Sequence, residues 1–283
     1  MREILSYKLR KRLKKILLYC LMVSTTVVVS FPLYWMVVSS IKPRTELFSA
    51  IPKLLPSHIS LDSYRTLVLT TNFLLYLRNS FMIAIPTTII VVALACIGAY
   101  GLSRFRFWGS ESLKHGVLLA YLFPPIVFIV PIYVLMCRAH INNTPLSLIL
   151  TYTSLQLPLG LWILMEFFDT IPRDLENAAM VDGATQLQVF LKIILPLSIP
   201  GIIAVASFAF IWSWGELLYA LVLIRSESYK TLPAGIAGLL VWGATRWDHL
   251  MAGAAICVLP VLILFIPVQK HLVRGITAGA IKE

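Results

Sequence analysis

The chain has 283 residues, 59% of them hydrophobic and only 13% charged, with a mean hydropathy of +0.85. No ordinary soluble domain approaches those values, so the composition excludes one and requires an integral membrane protein. The net charge of +11 does not point to nucleic acid, because the basic residues are placed as membrane proteins place them.

Residues 1–15 form a basic tail, with Lys8, Arg10, Lys11, Arg12, Lys14 and Lys15 directly before the first apolar run. The positive-inside rule makes that tail cytoplasmic. The run from Lys15 to Lys42 is longer than the core of a secretory signal and has no small-residue cleavage site, so it is expected to stay in the mature protein. Lys42 to Arg78 is an external loop with Pro43, Pro52 and Pro56, then a short surface helix around Tyr64, Leu67 and Val68. Its Lys and Arg residues run against the rule, but the loop is long and the N-terminal cluster dominates orientation.

Further apolar runs lie between Arg78 and Arg104, Lys114 and Arg138, Arg138 and Glu166, Lys192 and Arg225, and Asp248 and Lys270. Each supplies the roughly 20 residues a helix needs to cross hydrocarbon. The expected fold is therefore all-α with six transmembrane helices, both termini in the cytoplasm. Pro124, Pro125 and Pro131 are expected to kink or loosen the third span. The polar turn Asn142-Asn143-Thr144-Pro145 starts the fourth near Leu146. The fifth run is long and holds a single charge, Glu216. Thr231 to Thr245, with Pro233, Gly235, Gly238 and Gly243, is too short to cross and reads as a re-entrant or external cap. Cys20, Cys96, Cys137 and Cys257 lack metal-ligand spacing and read as free thiols, and no metal site is expected. The chain divides into a basic tail (1–15), one transmembrane domain (16–270) and a cytoplasmic tail (271–283).

A polar stretch from Ile171 to Pro200 interrupts the apolar pattern. Pro172 belongs in a first helical turn, and Asp174 and Glu176 follow at the positive end of the helix dipole. Leu175, Ala178 and Ala179 share a face, and Gly183 after Asp182 can end the helix in a left-handed turn. Thr185 and Gln188 then have capping-box spacing before the apolar Val189, Phe190 and Leu191. Two short helices joined by a glycine turn would make a cytoplasmic knob suited to docking; the alternative is an interhelical loop lying on the lipid surface.

The stretch resembles the signature loop of ATP-binding-cassette importer permeases, where Glu-Ala-Ala, a later Gly and Ile-x-Leu-Pro mark the ATPase docking site. Ala178, Ala179, Gly183, Ile193, Leu195 and Pro196 match it, while Asn177 stands at the signature glutamate and Glu176 lies one place earlier. The resemblance covers most of the chain and is similar to the carbohydrate-uptake branch, specifically the smaller permease of maltose-type systems. FPLYWMVVSSIKP near the first span, RNS at Arg78 to Ser80, FPPIVFIVPIY at Phe123 to Tyr133, INNTPLSLIL at Ile141 to Leu150 and the closing RGITAGAIKE carry it. Gly215 departs from the family's usual Asn between Trp214 and Glu216.

The resemblance implies a subunit of a binding-protein-dependent importer in a prokaryotic cytoplasmic membrane. Its partners would be a second permease, a dimer of ATPases that bind ATP and Mg, an external solute-binding protein and lipid. This chain has no phosphate-binding glycine loop, so it is expected to hold no cofactor and to be no enzyme. The implied docking residues, on a coupling helix between spans four and five (loop 169–196), are Arg173, Glu176, Asn177, Ala178, Ala179, Asp182, Gly183 and Pro196, with Glu176 as substitute for the missing signature charge. The solute expected is a sugar or oligosaccharide. A polyol or glycerol-phosphate-type solute is the alternative, and an ion-coupled transporter is disfavoured by the lack of paired intramembrane carboxylates.

Four residues are pathway candidates: Gln156, Trp212, Trp214 and Glu216. Glu216, a carboxylate inside an apolar run, reads equally as a gate or as a structural hydrogen-bonding group. Trp212 and Trp214, two apart on a helix, point in nearly opposite directions, so one at most faces solute and the other is expected to anchor at the interface. Gln156 can meet a hydroxyl or bond between helices.

Overall fold

A computed structural model of the chain describes residues 2–49, 51–240 and 246–280; residues 241–245 of the expected re-entrant segment and 281–283 of the expected tail lie outside the described residues. In chain order the helices are α1 (Arg2–Ser40), α2 (Asp62–Thr70), α3 (Phe73–Arg104), α4 (Ser110–Leu122), α5 (Ile129–Arg138), α6 (Pro145–Asp169), α7 (Arg173–Val181), α8 (Gln186–Leu197), α9 (Ile199–Gly215), α10 (Leu218–Leu223), α11 (Leu232–Ala237) and α12 (Trp247–Ala280), with shorter turns between them. Among the described residues there is no strand. A helix satisfies its own backbone polar groups, which hydrocarbon cannot do.

Stretches of α1, α3, α6 and α12 are each long and apolar enough to cross a membrane. Two further pairs meet that test only together. Ser110–Leu122 with Pro125–Arg138 turns by 94°, and α8 with α9 turns by 75°. Among the described residues there are therefore four to six candidate spans.

Local chemistry explains the breaks. Phe123 and Pro124 each precede a proline and adopt extended ψ values of 130° and 127°, which the proline ring forces on the residue before it. Pro131 lies in the first turn of α5, where proline is tolerated. At α6, Thr144 caps the helix by accepting from the Ser147 N–H, and Pro145 fills the first position. The fifth apolar run is not one continuous helix. α9 stops at Gly215, Glu216 is extended, and α10 begins afresh at Leu218.

The chain forms two compact units. In the first, residues 1–71 and 239–256, α1 exposes most of its apolar length, while its C-terminal end is tied to the loop that follows. Ser40 bonds Tyr64 at 2.6 Å, and the buried Lys42 ammonium lies over the Trp35 ring and donates to the Lys53 carbonyl. Leu67 of the expected surface helix is buried, and Thr66 bonds His249 of α12.

In the second unit, residues 72–238 and, among the described residues, 257–280, α3, α6 and α9 pack closely. Val91, Ala95 and Ala99 of α3 meet Leu164 and Phe168 of α6, and Val205 and Ala209 of α9. Gly160 makes this approach possible: a methyl group there would stand 3.2 Å from both Ala95 and Val205. The same cluster continues into Val189, Phe190 and Ile194 of α8, fixing the knob to the bundle.

Candidate functional site

The knob forms as its local signals require. Asp174 and Glu176 stand in the first turn of α7, and Gly183 takes φ = +89°, a left-handed conformation that costs a side chain about 1–2 kcal/mol. Both halves of the capping box are present: Thr185 accepts from the Gln188 N–H, and the Gln188 side chain accepts from the Thr185 N–H at 2.8 Å. A π-helical stretch, Phe190–Ile194, follows.

The two faces of the knob differ. Ala179 and Ala184 pack against the core cluster, while Asn177, Ala178, Asp182 and Gly183 are exposed. So are several large apolar side chains, including Leu175, Met180, Leu187 and Val181, the last 88% exposed. Exposed apolar patches of this kind are common at interaction sites. Pro196 lies in the last turn of α8.

Glu176 does not belong to the outer face. It is only 6% exposed and pairs with the buried Arg104 guanidinium at the end of α3, while the Tyr100 hydroxyl donates to it at 3.2 Å. Arg104 also donates to the carbonyls of Phe168 and Ile171, at 2.8 and 3.0 Å, where α6 ends. Beside it the Ser103 hydroxyl bonds Asp169, and Arg173 donates to the Ser103 carbonyl. The sequence marked Glu176 for its neighbour in the signature; nothing in its spacing revealed the distant Arg104 or the inward direction.

The second site is a cavity of ≈ 710 Å³ lined by residues of α4, α6 and α9 and by the Phe123–Phe128 break. Trp212 and Gln156 both line it, with Tyr121, Ser154, Phe128 and Phe208. None of its lining residues is ionisable to a full charge at neutral pH. Trp212 meets Tyr152 edge to face, and Gln156 donates to the Ser213 hydroxyl at 2.9 Å, so the amide serves α6–α9 packing while bordering the space.

Trp214 is turned the other way, as its spacing required. It is 1% exposed, stacks on Phe210, meets Phe81 and donates its indole N–H to the Cys257 carbonyl at 2.9 Å. That is a core position, not the interfacial anchor expected. Glu216 lies outside the cavity lining. Its carboxylate accepts from the Tyr152 hydroxyl at 2.7 Å and from the N–H groups of Tyr219 and Ala220, at 2.9 and 3.2 Å. It thereby supplies the acceptors that the first turn of α10 lacks.

A third arrangement joins the RNS motif to the start of the expected re-entrant segment. Asn79 donates to the carbonyls of Ser228 and Lys230, Ser80 accepts from the Leu232 N–H, and the Tyr76 hydroxyl bonds Glu227. The start of α3 thus holds the loop before α11.

Comparison with known proteins agrees with this architecture. The family model described as binding-protein-dependent transport system inner membrane component matches residues 4–278. The trehalose/maltose transport system permease protein of Thermococcus litoralis is 34% identical, with 95% of this chain and 98% of that protein covered. The diacetylchitobiose uptake system permease protein of Streptomyces coelicolor is 33% identical over 89% of this chain and 91% of its own. The trehalose transport system permease protein of Mycobacterium tuberculosis is 35% identical over 89% and 92%. Among solved structures, a bacterial ABC transporter involved in alginate import superposes with a TM-score of 0.79 at 20% identity, covering 92% of this chain and 96% of that one, which shows a shared fold.

Proposed function

This chain belongs to the binding-protein-dependent transport system inner membrane components, and on that premise we propose that it is the permease subunit of an importer that carries a sugar across the cytoplasmic membrane. It is a multi-pass membrane protein and a transporter component, not an enzyme. The observation that carries the sugar reading is near full-length similarity to relatives whose names specify trehalose, maltose and diacetylchitobiose.

The fold would cross the membrane six times, counting each bent pair as one span, with both termini in the cytoplasm. The basic residues in the first turns of α1 support that orientation. The knob would then face the cytoplasm and dock an ATPase dimer, which would bind ATP and Mg; a second permease would complete the pathway and an external binding protein would deliver solute. The exposed apolar residues Leu175, Met180, Val181 and Leu187, beside Asn177, Ala178 and Asp182, support docking by shape. Arg173, Ala179, Gly183 and Pro196 would hold that shape, and Glu176 would serve from the inner face.

Trp212 and Gln156 would border the solute pathway, with Trp214 and Glu216 supporting it from within the bundle. The uncharged lining favours a neutral solute over a phosphate ester, since nothing in it would compensate a phosphate's charge. Reconstitution of the four kinds of subunit in liposomes tests the proposal. ATP-dependent accumulation of a labelled neutral oligosaccharide is expected, with no competition from glycerol phosphate. Uptake by this chain alone, without ATP, would sink it.

A further inference from the structure

Arg104 joins three elements at once. Its Nε pairs with Glu176 in the first turn of α7, and one terminal nitrogen donates to the carbonyls of Phe168 and Ile171, where α6 ends; Arg104 itself is the last residue of α3. Its side chain is 7% exposed and that of Glu176 8%, so neither group is solvated by water in place of the other. A buried charge that loses its partner is costly, and guanidinium geometry makes several directed bonds from one rigid plane.

We propose that the Arg104–Glu176 pair is the mechanical linkage that makes α7 move as one body with the ends of α3 and α6, so that displacement of the knob becomes displacement of the spans. Arg104 and Glu176 are positioning residues: neither needs to touch ATP, the ATPase or the solute. The inference rests on the docking reading of the knob. α7 is only 9 residues long and joined by short turns, so without this clamp it could tilt and absorb a push locally. The Tyr100 hydroxyl on Glu176 and the Arg173 bond to the Ser103 carbonyl brace the same junction.

The test uses the reconstituted transporter with both permeases, the ATPases and the binding protein, and reads solute transported per ATP hydrolysed. Arg104→Lys keeps the charge but cannot reach Glu176 and both carbonyls together; Arg104→Gln removes the charge as well. Expected are assembled complexes that hydrolyse ATP, with transport per ATP lowered about five-fold or more for Gln and less for Lys, a size in the usual range of coupling between sites. An unchanged ratio in both assembled variants would overturn the linkage. So would failure of both to assemble, since the pair would then be needed for the fold itself. Val181→Glu on the opposite face separates the two readings. It should abolish ATPase binding; if it does not, while Arg104→Gln still lowers the ratio, the docking surface is misplaced and the linkage stands.

Discussion

Gln156 of α6 and Ser213 of α9 are joined by a 2.9 Å hydrogen bond at the edge of the cavity, and the Ser213 hydroxyl in turn donates to the Ala209 carbonyl one turn earlier. The amide is therefore engaged in joining α6 to α9. Gln156→Leu should loosen α6 against α9 and lower the unfolding temperature of the detergent-solubilised chain, because a buried hydrogen bond contributes about 0.5–1.5 kcal/mol. Combining it with Ser213→Ala should cost less than the sum of the two single changes, since both remove the same bond. Additive effects in a thermal-unfolding cycle would contradict the pairing.

Trp212 and Trp214 should separate function from stability. Trp212→Ala enlarges the cavity and should raise the KM for solute, leaving expression near normal. Trp214→Ala removes a fully buried ring and its bond to Cys257, and should destabilise by about 3–5 kcal/mol. Uptake kinetics and thermal unfolding of both variants check the contrast.

Gly183→Ala isolates the cost of one backbone angle. No atom lies within 4 Å of the position an added methyl would take, so the penalty is conformational, about 1–2 kcal/mol. Gly183→Asn should cost less, because asparagine tolerates the left-handed region. Binding of the partner ATPase should rank Gly, then Asn, then Ala; equal binding by all three would show that the turn is not held at that angle.

The loop before α11 should respond to acid. The hydrogen bonds from Lys230 and Tyr76 hold the Glu227 carboxyl below its ordinary value of 4.5. A carboxyl depressed on folding contributes stability above its unfolded pKa, and that contribution is lost as pH falls through the folded value. Protease protection of the loop at residues 226–232 should thus be constant at neutral pH and decline only below 4.5. Glu227 is half exposed, so the change should be small. Glu227→Gln should remove the pH dependence.

The knob was the most legible part of the chain because its signals are local. A proline, a glycine and a Thr/Gln pair each act within a turn of themselves, and α7, the left-handed Gly183 and the capping box appear where they direct. Pairings across the chain were not legible. In the sequence Arg104 only bounds an apolar run and Glu176 is a first-turn acid offered for docking, and only the packing of α3 against α6 brings them together. Trp214 shows the same limit: spacing fixed its opposition to Trp212, but burial against Phe81 and Phe210 depends on neighbours that spacing does not name. The interruption at Glu216 was hidden for another reason. Hydropathy runs straight through it, while the carboxylate's bonds to Tyr219 and Ala220 start a new helix.

Val189 and Ile194, five residues apart, both face the core of the second unit. On a regular α-helix, at about 100° per residue, they would diverge by about 140°. The widened π turn between them takes up that difference, as one additional residue in a helix does. The knob and the span behind it are consequently set to different angular phases, joined by a built-in phase shifter. Deleting one residue from Phe190–Ile194 would not shorten the connection so much as rotate one end against the other, turning either the exposed apolar face of the knob or the core face of α8 out of register.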